Sequence, residues 1–253
     1  MFVMRRVATA VLLLAAPLAA QRADRPAQPF VAVGIAFDRV GDPGTRSDLE
    51  YVRRLRFNVI AVRDAPSQAF RLEMLARLLA PESNVAPVSV PISEVQVVTI
   101  RDDTSPAGVR LHAWMALARG ARGVIFDGWT TLRQNEDVLA AAASFADNVT
   151  RNAALFAPLR PRPPGDVRVD APPSAIDARF LESSEALVFI AANLTTSVQR
   201  VTMSFSPEMP EAIWQNIEAG GAVNFVAGPE GPIYVRSFTP HDVIVLVIRK
   251  QYR

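Results

Sequence analysis

Cysteine is absent from the 253-residue chain. Its absence excludes disulfide frameworks, thiolate zinc sites, iron–sulfur clusters and cysteine nucleophiles. Histidine occurs only at His112 and His241, too few for a multi-histidine metal centre, and no metal is expected. Lysine occurs once, at Lys250, among 27 basic residues. A lysine Schiff base or a phosphate-loop lysine would have to be that residue, beside the chain's last strand. The sequence also lacks a G-x-S-x-G elbow, a P-loop, a G-x-G-x-x-G turn and an H-E-x-x-H pair, and no cofactor is expected. No apolar run after the first twenty residues is long enough to span a bilayer, which takes about 20 residues.

The composition that remains is globular: 50% hydrophobic and 21% charged. Arg5 and Arg6 precede a short apolar run from Val7 to Ala19, and Ala20 follows. A basic start, a short apolar core and a small-residue exit read as a secretory signal peptide over 1–20, with export to the periplasm or medium. That segment holds two arginines and no acid, so its removal leaves 25 basic and 25 acidic residues. The apparent basicity belongs to the export segment, and no nucleic-acid surface is implied. No membrane partner is expected after cleavage.

Residues 21–29 read as a flexible leader. Thereafter strands and helices alternate. Apolar runs at 30–37, 58–62 and 123–126 read as buried strands, and 85–100, interrupted by Pro87 and Pro91, as one bent strand or two short ones. Ser47 stands three residues before Glu50, the spacing of a capping box. Further helices are expected over 69–79, from Ser105-Pro106 to Gly120, and over 135–156. Such alternation implies a parallel sheet with helices outside it. Six prolines at 158, 161, 163, 164, 172 and 173 then break the pattern. The linker is placed at 158–165. Beyond it, strands expected at 176–181, 186–192, 199–205, 212–217, 222–226, 233–238 and 243–248 read as an antiparallel β-sandwich over 166–253.

In a parallel α/β barrel, functional side chains lie at the carboxyl ends of the strands. The acids and bases expected there are Asp38, Arg63 with Asp64, Glu94 with Gln96, and Asp127 followed by Trp129. Two carboxylates flanking a sugar linkage beside an aromatic platform would make a glycosidase site.

These residues carry a resemblance. Leu55-Arg-Phe-Asn-Val-Ile-Ala-Val-Arg63 looks like the second barrel strand of clan A glycoside hydrolases of the family 42 β-galactosidase type, with Arg63 at its end. Ile92-Ser-Glu-Val-Gln96 resembles the motif around the family's nucleophilic glutamate. The stretch from Val109 to Trp129 resembles the seventh helix and eighth strand. The resemblance implies a barrel domain over 30–157 and a C-terminal β-sandwich, with Glu94 as nucleophile of a retaining hydrolysis. Arg63, Asp64, Asp127, Trp129 and Asp38 would contact a β-linked, galactoside-type sugar. The 128 residues available fall short of the minimum of about 200 for eight strand-helix units. The expected fold is thus a truncated TIM-like barrel of four to five parallel strands followed by the sandwich. The family's acid/base glutamate has no counterpart: the one Asn-Glu pair, Asn135-Glu136, opens the last helix of that domain. A non-catalytic carbohydrate-binding or interaction protein is the alternative function. A half-barrel completed by a second copy, as a homo-oligomer, is a third reading.

Overall fold

The computed structural model describes residues 29–250 apart from 65–68, 83–84, 89, 164, 208 and 210–212. The signal peptide expected at 1–20, and the leader except its last residue, lie outside the described residues.

The first sheet has five strands. Strand β1 (Ala32–Ala36) is buried throughout. It is followed by α1 (Arg46–Arg54), β2 (Val59–Arg63), β3 (Phe70–Met74) and α2 (Leu75–Leu79). A 3-10 turn at Ile92–Glu94 leads into β4 (Val95–Thr99). Then come α3 (Pro106–Ala118), β5 (Gly123–Asp127), α4 (Trp129–Gln134), α5 (Glu136–Arg151) and α6 (Ala153–Phe156). The spatial order is β3-β2-β1-β5-β4. Strands β2, β1, β5 and β4 run parallel, and β3 joins as an antiparallel edge.

Local chemistry accounts for most of these boundaries. Thr45, not Ser47, caps α1: its hydroxyl accepts from the Asp48 amide and the Asp48 carboxylate accepts from the Thr45 amide. Ser105 caps α3 with Pro106 in the first turn, as the sequence predicts. Asn58 continues the sheet with its side chain, accepting from the Val33 amide at 2.8 Å and donating to the Val31 carbonyl at 2.7 Å. Gly128 takes φ 107°, where a Cβ would meet the Ile100 carbonyl oxygen at 2.8 Å. Glycine alone lets the chain turn from β5 directly into α4 there.

Two expected helices differ. Residues 70–74 form β3 rather than the first turns of a helix over 69–79. Leu72, Leu75, Ala76 and Leu79 make a helical stripe, but Phe70, Leu72 and Met74 also alternate with Arg71 and Glu73 at the strand period. Packing of all three on the inner face of the sheet decides for the strand. The helix expected over 135–156 ends at Arg151 and restarts at Ala153.

The second half is antiparallel throughout. Strands β6 (Arg160–Pro161), β8 (Ile176–Glu182), β9 (Ala186–Asn193), β11 (Trp214–Asn216), β12 (Ala222–Val223) and β15 (Val243–Arg249) form a sheet ordered β12-β11-β15-β9-β8-β6. Strands β7 (Val167–Val169), β10 (Gln199–Phe205), β13 (Val226–Gly228) and β14 (Gly231–Phe238) form the other, ordered β13-β14-β10-β7. Residue 212, expected to open a strand, lies outside the described residues, and the strand expected over 222–226 is divided between β12 and β13.

The layers stack in series. One hydrophobic cluster joins the outer face of the mixed sheet, helices α1, α3 and α5, and Leu181, Val188, Ile190 and Val245 of the six-stranded sheet. A second fills the sandwich with Phe180, Phe189, Phe205, Trp214 and Phe238. A smaller third cluster lies on the inner face of the mixed sheet, where Val88 and Val90 cover Ala32, Ala36, Val59, Ala61 and Ile125.

Candidate functional site at the carboxyl end of the parallel strands

Strand alternation puts Arg63 on the face of Ala61, and Asp127 on the face of Ile125. Strand β1 lies between them, and its Ala36, paired with Ala61 and Asp127, carries only a methyl group there. The long guanidinium crosses that small residue, and Arg63 Nη2 donates to Asp127 Oδ2. Asp127 is 9% exposed. Its other oxygen, Oδ1, is buried with no hydrogen-bond partner among the described residues. The Arg63 guanidinium also lies 4.7 Å from the centre of the Phe70 ring, a cation–π contact. One carboxylate and one guanidinium therefore close the inner face at this end.

Also at the carboxyl end, but lined by neither Arg63 nor Asp127, is a depression of about 510 Å³ walled by Asp38, Arg39, Asp42, Asp48, Arg133 and Gln134 over Phe37 and Trp129 of the outer-face cluster. Three of its acids already have fixed partners. Asp38 accepts from the backbone amide of Thr130 at 2.9 Å and from its hydroxyl, tying the end of β1 to the first turn of α4. Asp48 accepts from Arg133 at 3.0 Å as well as from Thr45. Asp42 accepts from the Gly44 amide at 2.7 Å.

The predicted site residues separate into two groups. Asp38, Arg63, Asp127 and Trp129 lie at this end, Asp38 and Trp129 in the depression and Arg63 with Asp127 on the inner face, with Asp64 following Arg63 and 3.7 Å from Arg71. Trp129 is not an open platform. It is 5% exposed and packs edge-on against Phe37 and Tyr51, with centroids 5.5 and 6.1 Å away. Its place is the floor.

Glu94 does not join the group, and its expected position at the end of a strand is corrected. It closes the 3-10 turn before β4, where its carbonyl accepts from the Arg122 amide and its carboxylate pairs with Arg122 at 3.2 Å. Strand β4 runs parallel to β5, with Thr99 beside Asp127. Glu94 is thus at the amino end of the sheet, roughly 16 Å from the Asp127 level at about 3.3 Å per residue. Gln96 is likewise early in β4 and exposed.

Sequence reasoning missed Arg39, Asp42, Asp48, Arg133 and Gln134. Their loops adjoin strand ends, and that adjacency was the available clue. It also missed that His112 and His241 come together on one groove of about 870 Å³ alongside β4 and α3. The His112 imidazole is held below its ordinary value, first by desolvation and then by His241 and Arg119.

No family model matches the sequence, and no curated protein matches it. Solved structures similar to parts of the chain include glycoside hydrolases. A GH27 β-L-arabinopyranosidase from Geobacillus stearothermophilus, solved with arabinose, is 13% identical over 59% of this chain and 31% of its own, with a TM-score of 0.41. A maltogenic α-amylase from Thermotoga neapolitana is 11% identical over 62% of this chain and 42% of its own, with a TM-score of 0.42. A GH30 endoxylanase from Clostridium papyrosolvens is 10% identical over 61% of this chain and 42% of its own, with a TM-score of 0.38. The chain spans less than half the length of each. At such identities and scores the likeness is a partial superposition, and function has to be argued from the residues of this chain.

Proposed function

We propose that the chain binds carbohydrate at the carboxyl-end depression and does not hydrolyse it, on a partial barrel of glycosidase type. The observation that carries this reading is the Arg63–Asp127 pair. A retaining glycosidase places two carboxyl groups about 5–5.5 Å apart, one to attack and one to donate a proton. Here the inner-face carboxylate is engaged by a guanidinium, and Glu94 lies at the opposite end of the sheet. Neither is available as half of such a couple, and the depression's own acids, Asp38, Asp42 and Asp48, are each engaged by hydrogen bonds, from Thr130, from Gly44, and from Thr45 with Arg133.

The depression supports the binding half. Planar carboxylate and guanidinium groups held by fixed neighbours can accept from and donate to vicinal hydroxyls with little reorganisation. Arg39 and Gln134 add donors at its wall, and Phe37 and Trp129 make an apolar floor. The galactoside-type preference rests on the sequence resemblance. Export rests on the Arg5-Arg6 start and the run that follows, and places the mature terminus near Gln21.

Calorimetric titration with β-galactoside oligosaccharides tests the reading. Wild type is expected to bind in the micromolar to millimolar range, and Arg39→Ala with Gln134→Ala to weaken binding without changing the melting temperature. Absence of binding across β- and α-linked panels would remove the carbohydrate assignment.

A further inference from the structure

One wall of the groove beside β4 is a single face of α3 and its cap. Ser105, Gly108, His112, Ala116 and Arg119 recur three to four residues apart and all line it. The opposite wall is the edge of β4. Ile100 donates its amide to the Asp127 carbonyl and Arg122 donates to the Glu94 carbonyl, each at 2.7 Å. The even-numbered residues therefore face β5, and the Val97 and Thr99 amides turn outward. His241 enters from the turn before β15, with a left-handed backbone at φ 59°. The groove shares no lining residue with the depression at the carboxyl end.

The charges around the two imidazoles are unevenly matched. Arg119 and Arg179 share one carboxylate, Asp177, at 3.2 and 2.7 Å. Asp242 is held by Arg236 and Glu218 by Arg110, so neither acid of the sandwich is left over. Glu94 is paired with Arg122. Arg101 and Asp103, on the loop before α3, offset each other in charge. Among the described residues neither His112 nor His241 has a hydrogen bond or an ion pair. Desolvation first, and then the charges of His241 and Arg119, hold the His112 imidazole below its ordinary value, which reports the same local excess of positive charge.

We propose that this groove binds an acidic oligosaccharide, a sugar chain bearing carboxylates, with one carboxylate seated among His112, His241 and Arg119. That carboxylate supplies the acceptor each imidazole lacks and the negative charge that a shared Asp177 does not provide. The outward amides of β4 donate to oxygens of the sugar on the other side. Helix α3 rises about 1.5 Å per residue, so the wall from Ser105 to Arg119 runs about 21 Å, the length of a chain of sugars rather than of a single ion. A seated carboxylate favours the imidazolium forms, so binding takes up protons and tightens as pH falls. The choice of a sugar as the carrier of the carboxylates rests on the carbohydrate reading above; the cationic site does not.

Calorimetric titration of the full chain with trigalacturonate tests this, beside its neutral methyl ester, triglutamate and inorganic phosphate. Trigalacturonate is expected to bind about tenfold more tightly at pH 5.5 than at pH 8, the effect of a one-unit rise in an imidazole pKa. The other three probes are expected to bind at least about tenfold more weakly than trigalacturonate, each lacking the carboxylate or the sugar. His112→Gln and His241→Asn, the latter a residue that tolerates a left-handed backbone, are each expected to weaken binding at pH 5.5 about tenfold and to flatten its pH dependence. Arg39→Ala with Gln134→Ala, which acts at the depression, is expected to leave trigalacturonate binding unchanged, so the two sites fail separately. No binding at pH 5.5, indifference to both histidine variants, loss of binding in the depression variant, or equal affinity for the ester, triglutamate or phosphate overturns the proposal.

Discussion

Arg63, at the end of β2, reaches across β1 to Asp127, at the end of β5, and leaves one carboxylate oxygen of Asp127 buried without a partner among the described residues. A charge this secluded is tolerated because its counter-ion is fixed beside it.

Removing that counter-ion should be costly. Arg63→Met leaves Asp127 buried and unpaired, with an expected loss of about 3 kcal/mol in denaturant unfolding. Arg63→Met with Asp127→Leu replaces the pair by apolar groups and should recover most of the loss. Equal instability of the single and double variants would contradict this account of the pair.

Glu218 binds the sandwich to α3. It accepts from the Arg110 guanidinium at 2.6 and 3.2 Å and from the indole of fully buried Trp114 at 2.8 Å. Glu218→Ala strands both donors and is expected to cost about 3 kcal/mol. Glu218→Gln keeps an acceptor for the indole and should cost less. Denaturation followed by tryptophan fluorescence measures both, and a silent Glu218→Ala would show that the contact contributes nothing to the junction.

Acid should destabilise the chain partly through His112. In the unfolded chain this imidazole titrates near 6.5, and in the folded chain below it. As pH falls below the unfolded value, the unfolded chain takes up a proton that the folded chain resists, so stability falls with it. Denaturant midpoints between about pH 8 and pH 5.5 should therefore drop further in wild type than in His112→Gln. His241→Gln, which removes one of the opposing charges, should lie between them. Superimposable pH profiles would remove His112 from the account.

Strand runs and helix caps were legible where one period dominated. The apolar run that became β1 and the Ser105-Pro106 start of α3 are local properties of the chain. The sequence over 70–79 was ambiguous, because Leu72, Leu75, Ala76 and Leu79 share a helical face while Phe70, Leu72 and Met74 alternate as a strand, and only contact with the inner face selects one. The site was half legible. Strand-end reasoning found Arg63, Asp127 and Asp38. It misplaced Glu94 because the proline-rich stretch before β4 hid where that strand begins, and a shift of five residues moves a side chain to the other end of a sheet. Trp129 was found as a residue but not as a floor, since its burial depends on Phe37 and Tyr51 from distant segments. The meeting of His112 and His241 follows from the packing of α3 beneath the sandwich, which no local pattern encodes.

The central claim is that the carboxyl end of the sheet binds sugar but lacks a hydrolytic carboxyl couple. Its most direct test is release of the chromophore from an activated aryl β-galactoside, whose leaving group needs no protonation, by wild type and by Asp127→Asn and Glu94→Gln. The account predicts no turnover above background in any of the three, at concentrations where calorimetry registers sugar binding. Wild-type turnover lost in Asp127→Asn or in Glu94→Gln would contradict it and make that carboxylate catalytic.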